Sequence, residues 1–426
     1  MNSTIQKRIE AIQSGKTPKG YKKTKWGIIP VQWEYRKIKD VCEINPSRNY
    51  NIDSDVTFIG MTDVSEDGKI KNQKQIPVST VLPGLTPFMR GDILVAKITP
   101  CFENGKGANT STLQTEYGFG STEFHVLRSK IHNIFLFFHT IYPDFRNKLK
   151  SEMTGTAGQK RVSSNSISNY IIPLPPLSEQ EAIAEILTQQ DRLIDLLQKL
   201  IDEKRRQKKY LMQTLLTGRI RLPGFKGKWK TKTLGEIAKK NTTKNLNLNY
   251  TEVFTNSAQH GIIPQNQQFD KDIANVENID GYYIVEAKDF VYNPRISVTA
   301  PCGPINMNTL GKTGVVSPLY TVFSIHSGDV EIGFIKHYFQ SSIWHEYMKG
   351  IANYGARHDR MNISNDDFFA MPLPLPPLPE QEAIAEILST ADEELSLLER
   401  ELEQEKLRKK ALMQLLLTGL VRVEEL

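Results

Sequence analysis

The chain repeats one long passage. PLPPLSEQEAIAEIL at Pro173–Leu187 returns as PLPPLPEQEAIAEIL at Pro374–Leu388, and KKYLMQTLLTG at Lys208–Gly218 returns as KKALMQLLLTG at Lys409–Gly419. The register holds at 201 residues throughout: Gln180 matches Gln381 and Gly218 matches Gly419. Stacked-repeat folds have periods of roughly 20–50 residues, so this is a two-fold duplication and not a solenoid. Two like modules in one chain suit a target that is itself two-fold, and duplex DNA is such a target.

The module starts echo each other as well. WEYRKIKDV at Trp33–Val41 resembles WKTKTLGEI at Trp229–Ile237, and PKGYKK at Pro18–Lys23 resembles LPGFKG at Leu222–Gly227. AIQSGK at Ala11–Lys16 echoes LLTGR at Leu215–Arg219, as though a circular repeat had been cut at an arbitrary point. The N-terminal helix is therefore expected to pack near the C-terminal one. The resulting division is 1–23 as N-terminal helix and linker, 24–172 as first module, 173–221 as first helix, 222–373 as second module and 374–426 as second helix.

The helices are legible from punctuation and period. A proline-rich strip is a stiff, extended entry. Ser178 with Glu181 three residues on reads as a capping box, and Pro379 suits a first helical turn. Apolar residues then step by three and four: Ile183, Ile186, Leu193, Leu197, Leu200, Leu211 and Leu215, then Ile384, Ile387, Leu395, Leu398, Leu402, Leu412 and Leu416. Each run stops at Thr-Gly, a glycine stop signal. From Ser178 to Thr217 such a helix would reach about 60 Å. So long a stripe needs a partner, and the pseudo-two-fold relation would pair the two helices antiparallel.

The globular segments read as mixed α/β with short strands at Val56–Val64, Asp92–Ile98, Glu123–Ser129, Tyr282–Ala287, Asp289–Asn293 and Tyr320–Ile325. One amphipathic helix is expected in each, over Phe135–Leu149 and Glu331–Met348. Each module then ends on a glycine-led basic loop, TGTAGQKRVSSNSI (Thr154–Ile167) and NYGARHDRMNI (Asn353–Ile363). The fold class is thus α+β, with two mixed α/β modules and a spacer of two long antiparallel helices in a circular, pseudo-two-fold arrangement.

Composition narrows the function classes. Among 426 residues, 39% hydrophobic and 24% charged fit a protein with a real core. No apolar run approaches the roughly 20 residues of a membrane span, and MNSTIQKRIEAIQSGK has no apolar signal core. Cys42, Cys101 and Cys302 are scattered, which argues against a disulfide framework or thiolate metal site and for a cytoplasmic protein. The net charge of +6 is unevenly placed: Met1–Leu177 holds 24 Lys/Arg against 15 Asp/Glu, whereas Leu222–Leu378 holds 15 against 14.

Repeated helices joined to divergent modules resemble the specificity subunits of type I restriction–modification systems. The resemblance spans the full length and rests on the two proline–EQEAIAEIL strips, the LMQ–LLTG helix ends, GIIPVQW and FKGKWKTKTLGEI at the module entries, and KDFVYNPRI followed by GVVSPLYTVF. It implies a non-catalytic subunit whose two target-recognition domains each read half of a split DNA sequence. It further implies a helical spacer that sets the half-site separation and docks two methyltransferase subunits, with restriction/translocase subunits joining them. S-adenosylmethionine, ATP and Mg would reside in those partners and none in this chain; the assembled complex would be a DNA adenine methyltransferase and ATP-dependent endonuclease.

Candidate DNA contacts follow from residue type. Glycine admits a phosphate closely, Lys and Arg neutralise it, and Arg or Asn reads base edges with two hydrogen bonds. In the first module these are Lys97, Asn104, Lys106, Lys160 and Arg161; in the second, Arg295, Lys312, Arg357, His358 and Arg360. An ordinary exposed loop side chain is the competing reading for each. Candidates for partner docking along the helices are Glu179, Gln180, Ile183, Ile186, Leu197, Leu211 and Leu215, and Glu380, Gln381, Ile384, Ile387, Leu398, Leu412 and Leu416. No metal site is expected.

Catalytic motifs fail at specific positions. Asn293-Pro294-Arg295 lacks the second proline and aromatic of an amino-methyltransferase motif. Gly311-Lys312-Thr313 lacks the upstream glycine of a P-loop, and His345-Glu346 has no second histidine at the HExxH position. His125, His132, His139, His260, His326 and His337 lie among strand and helix residues. Two alternatives remain open: a two-module interaction scaffold that binds no DNA, and a self-sufficient nuclease or methyltransferase.

Overall fold

The computed structural model describes residues 3–47, 55–81, 83–156, 158–267, 279–354 and 359–425. In chain order the first half contains α1 (Ser3–Gln13), β1 (Tyr21–Thr24), β2 (Gly27–Pro30), β3 (Glu34–Lys37), α2 (Ile38–Val41), β4 (Cys42–Ile44), β5 (Val56–Ile59), β6 (Lys74–Ile76), β7 (Thr86–Met89) and β8 (Ile93–Ala96). It continues with β9 (Gly107–Asn109), β10 (Tyr117–Gly120), β11 (Phe124–Ser129), α3 (Asn133–Ile141), α4 (Pro143–Ser151), α5 (Ser164–Asn169), β12 (Ile171–Leu174) and α6 (Leu177–Leu215). The second half opens with β13 (Lys230–Thr233), α7 (Leu234–Ile237), β14 (Ala238–Asn241), β15 (Phe254–Ser257), β16 (Gly261–Pro264), β17 (Tyr283–Val285), β18 (Phe290–Tyr292) and β19 (Ile305–Met307). It closes with β20 (Gly314–Val316), β21 (Thr321–Ile325), α8 (Ile332–Gln340), α9 (His345–Ile351), β22 (Asn353–Tyr354), β23 (Met361–Asn362), α10 (Asn365–Phe369), β24 (Pro372–Leu375) and α11 (Leu378–Leu417).

The chain gathers into two compact units, Met1–Leu197 with Glu401–Leu426, and Gln198–Arg400. Both boundaries fall inside the long helices, so each unit takes the start of one helix and the end of the other. Within the first unit the two helix segments run antiparallel: Glu179 at the start of α6 holds Arg422 beyond the end of α11, and Gln190, further along α6, donates at 2.6 Å to Glu405, further back in α11. Within the second, Arg205 pairs with Glu399 at 2.6 Å, Lys204 with Glu394 at 2.5 Å, and Lys208 with Asp392.

Each unit has its own four-stranded sheet, and the two sheets have the same strand order. In the first the order is β4-β11-β8-β9 and in the second β14-β21-β18-β19, antiparallel throughout. The module entry and exit also pair in both, β3 with β12 and β13 with β24. A second sheet, β6-β5-β10-β7, has a parallel centre in the first unit. Its counterpart in the second unit is two antiparallel pairs, β15-β16 and β17-β20, joined among the described residues by a parallel bridge from Val253 to Val315.

Each main core sits between the β4 or β14 sheet of its own unit and the helices. In the first unit Trp33, Ile93, Val95, Phe135, Phe138 and Phe145 close on Ile183 and Leu187 of α6 and on Met413, Leu416 and Leu417 of α11. In the second, Phe290, Phe323, Phe334, Tyr338 and Trp344 close on Ile384 and Leu388 of α11, on Met212 and Leu215 of α6 and on Leu216 just after it. Each such side chain contributes about 1.5–3 kcal/mol on burial.

Several local expectations are corrected. The helix expected over Phe135–Leu149 is two helices, because Pro143 at the first position of α4 has no amide to donate back across the break. The helix expected over Glu331–Met348 also divides: the Ser341 hydroxyl bonds the Tyr338 carbonyl and accepts from Ile343, so side chain replaces ladder. The strand expected over Val56–Val64 ends at Ile59, where Asp63 accepts the Gly60 amide in a tight turn. Ser178 is not the cap of α6, which begins one residue earlier. Instead the Pro176 carbonyl accepts the amides of Glu179 and Gln180, as the Pro377 carbonyl accepts those of Glu380 and Gln381. Both long helices do stop at the glycines, Gly218 (φ +68°) and Gly419 (φ +70°). The Gly218 and Gly419 amides donate three residues back to Leu215 and Leu416, and beyond them Ile220 donates to Thr214 and Val421 to Leu415, so that the chain folds back over each helix end. The Tyr21 hydroxyl, which follows α1, reaches the Gly419 carbonyl at 3.0 Å.

Candidate nucleic-acid interface

Both modules carry the same backbone joint between a strand of the matching sheet and the basic loop. In the first, the residues after β8 bond to the loop: Val162 donates to the Lys97 carbonyl, Thr99 donates to Lys160, and Ile98 bridges Arg161. In the second, the residues after β18 do likewise: Met361 donates to Pro294, Ile296 to Asp359, and Arg295 bridges Arg360. Lys97 thus corresponds to Pro294, and Arg161 to Arg360. A short helix follows each joint, capped by Ser163 or Ser364.

Three first-module candidates converge here. Lys97 Nζ donates to the Thr122 carbonyl at 2.8 Å; burial lowers its pKa, against the pull of Glu123. Arg161 meets Glu123 through Nε and Nη2, the latter at 2.8 Å, and Glu123 raises its pKa further. Lys160 is exposed beside it. Beneath the loop His125 is buried, with its pKa pushed down to about 4 by loss of water. Its Nε2 lies 2.9 Å from the Val162 carbonyl and its Nδ1 3.1 Å from Asn45 Nδ2, so the neutral Nε2–H tautomer satisfies both.

The other two turn elsewhere. Lys106 Nζ donates to the Met61 carbonyl at 3.0 Å and Asn104 to Glu66 at 3.2 Å, which ties CFENGKG to the segment after β5. Arg146, which sequence reasoning missed, anchors this loop from below: buried, it donates to the carbonyls of Thr140, Phe102 and Gly105 while lying over the Phe102 ring.

In the second module Arg295 and Arg360 are brought together by the joint, beside a cavity of about 460 Å³ that Arg360 lines with Asn353, Asn362 and Thr321. Lys312 is separate, paired with Glu252. Arg357 and His358 lie outside the described residues. The larger cleft of this unit, about 1050 Å³, opens instead along the helices and is lined by Arg205, Lys209, His260 and Asp392 among others.

The helix-docking candidates divide sharply. Glu179 accepts the Trp33 indole at 2.9 Å and the Arg422 guanidinium, while Glu380 accepts Arg221 through both oxygens at 2.6 and 2.7 Å. Gln180 and Gln381 cap the connections into α3 and α8, accepting the His132 and Glu331 amides and donating back to Pro175 and Pro376. These four polar groups are consumed inside their own units and are unavailable to a partner. Ile183, Leu197, Leu215, Ile384 and Leu416 are buried, and Ile186, Leu211, Ile387, Leu398 and Leu412 are half-buried. The large apolar groups left exposed on the long helices, among the described residues, are Leu177, Leu193, Leu196, Leu200, Tyr210, Leu397 and Leu407. Arg221 and Arg422 share the 201-residue offset of their glutamates, which is the signal that could have found these ties.

Comparison with known proteins decides the family. The model of the type I restriction modification DNA specificity domain matches residues 30–203 and 226–406, which is most of the chain and both copies of the repeat. The chain belongs to this family. It is 39% identical over 180 residues to the EcoAI type I restriction enzyme specificity subunit of Escherichia coli, and 36% identical over 160 residues to the EcoEI one. Those matches cover 40% and 36% of this chain but only 30% and 27% of those proteins. A Methanocaldococcus jannaschii protein, provisionally assigned as the MjaX specificity subunit, is 27% identical across 95% of this chain and 97% of its own length. Among solved structures, a chain from work on complex assembly and conformational transition of the type I R-M system matches with TM-score 0.57 at 20% identity, over 92% of this chain and 99% of that one. The type I S subunit from M. genitalium matches with TM-score 0.53 at 13% identity, over 90% and 96%. At these identities the two structures establish a shared fold. No described helix is long and apolar enough to cross a membrane.

Proposed function

We propose that this chain is the non-catalytic DNA-specificity subunit of a type I restriction–modification complex. Each module reads one half of a split duplex sequence, and α6 with α11 sets the spacing between halves. The observation that carries this reading is the duplicated joint, in which a loop arginine bridges the segment that follows the matching strand in each module. A pair of like readers suits two half-sites on one duplex. Lys97, Lys160 and Arg161 form the first basic cluster, and Arg295 with Arg360 forms the second.

Methyltransferase subunits, two per chain, dock on the helices through their exposed apolar side chains. Leu193, Leu196 and Leu407 serve the first unit; Leu200, Tyr210 and Leu397 serve the second. Restriction subunits join that core, and S-adenosylmethionine, ATP and Mg act in the partners. The complex works in the cytoplasm, where the chromosome is. Methylome sequencing of a host with and without the gene tests the reading: one bipartite motif should disappear with the gene. An unchanged methylome in a host that expresses the methyltransferase subunits refutes it, and methylation or cleavage by the purified chain alone would contradict the non-catalytic assignment.

A further inference from the structure

We propose that Arg161 is a guanine-reading residue of the first module, held as a rigid fork by Glu123. This rests on the reading above and adds one base pair and one side-chain pair to it.

The backbone of Arg161 is fixed on both edges. It exchanges two hydrogen bonds with Thr154, while its neighbours Lys160 and Val162 bond to Thr99 and Lys97. The side chain is then fixed as well, since Nε lies 3.1 Å from both Glu123 oxygens and Nη2 lies 2.8 Å from one of them. That leaves the outer Nη1–Nη2 edge, with only a long 3.4 Å contact from Nη1 to the Gln159 carbonyl. The side chain is 46% exposed despite the Glu123 pairing. Two parallel N–H donors at that edge match the O6 and N7 acceptors of guanine in the major groove.

The alternative for an exposed arginine is a phosphate contact, and the charge disfavours it here. Paired with Glu123, Arg161 brings almost no net charge to a backbone that rewards charge. Exposed Lys160, one residue earlier, is the better phosphate contact. Buttressing instead lowers the ordering cost of a bidentate contact, which is what sequence reading needs.

The second module shows that the buttress is not a by-product of the fold. Strand register pairs His125 with Val95 and Thr321 with Tyr292, two residues before Lys97 and Pro294 respectively. Glu123 therefore corresponds to Leu319. Among the described residues the carboxylate nearest Arg360 in an ion pair is that of neighbouring Asp359 at 3.7 Å, not one at position 319, so the inference is confined to Arg161.

The test uses the full chain with its methyltransferase subunits in a host, read by methylome sequencing. In Arg161→Lys, one G·C position of one half-site should lose its preference on the order of tenfold. The other positions and the other half-site should be unchanged. Glu123→Gln should relax the same position less, and Lys160→Ala should lower methylation at all sites evenly. Co-purification with the methyltransferase subunits verifies assembly; if Arg161→Lys fails to assemble, Glu123→Gln decides. The proposal is overturned if the affected half-site contains no G·C pair, if no position relaxes, if all positions weaken together, or if neither variant assembles. A wild-type host without gene-dependent bipartite methylation would instead refute the functional reading itself.

Discussion

The two units are built on one frame and secured by different contacts. Both place the start of one long helix and the end of the other against a four-stranded antiparallel sheet, and both tie a glutamate at a helix start to an arginine after a helix end. In the first unit Glu179 also holds the Trp33 indole, whereas the buried Trp229 nitrogen has no hydrogen-bond partner among the described residues. In α3 Phe138 lies under Lys409; at the matching place in α8 stands His337, bonded to Ser389 and near Asp392. The second sheet is continuous in one unit and, among the described residues, is two bridged pairs in the other. The four-stranded sheet and the glutamate–arginine ties are repeated, whereas the second sheet and single contacts to the helices diverge.

The largest expected break in this symmetry is at the glutamates. Glu179→Ala leaves the Arg422 guanidinium and the Trp33 indole without their acceptor and should cost the first unit about 3 kcal/mol. Glu380→Ala removes only one partner, whose guanidinium is partly wetted, and should cost less. Hydrogen exchange of core amides reads each unit separately; equal loss of protection in both units for either variant would contradict the division. Next, Trp33→Phe should cost roughly 1.5–3 kcal/mol for a hydrogen bond to a charged group, and Trp229→Phe distinctly less. Equal costs in the same measurement would mean the Glu179 bond contributes nothing.

Acid separates the units less strongly. Burial holds His125 at about 4 and His139 at about 3 in the first unit and His337 at about 4 in the second, where it also lowers His345. Each is depressed, so the unfolded chain binds more protons below its ordinary value of about 6.5. The stability they contribute is present above pH 6.5 and is lost as pH falls toward 4, with two such groups in each unit. His139→Leu also removes a buried Nε2 without a partner and should flatten the acid loss of the first unit alone. An unchanged pH profile of amide exchange would remove His139 as its source. The smallest effect is at the loop surface: Lys160→Ala in the assembled complex should reduce the slope of log affinity against log salt by about 0.9.

Most of the frame was legible in the sequence because duplication, proline strips and Thr-Gly stops are local signals with one physical meaning each. Pro143 was in plain view, yet the periodicity of Phe135–Leu149 concealed the break it makes. The site was legible by loop but not by residue. Glycine-led basic loops marked Lys160, Arg161 and Arg360, but the joint that groups them with Lys97 and Arg295 is a long-range backbone pairing without a local sequence signature. Lys106, Asn104 and Lys312 resemble the others in type and differ only in the acceptor each meets. Glu179 and Gln180 looked like surface because polar residues at a helix start usually are; only the matching arginines 201 residues apart hinted that they are spoken for.

The central claim is that each module reads its own half of one split site. Replacing residues 24–172 with the matching module of a relative, in the full chain with its methyltransferase subunits, tests it directly through the methylome. The account predicts a motif with one new half, the other half and the spacing between them unchanged. A change in both halves, or in neither, would contradict it.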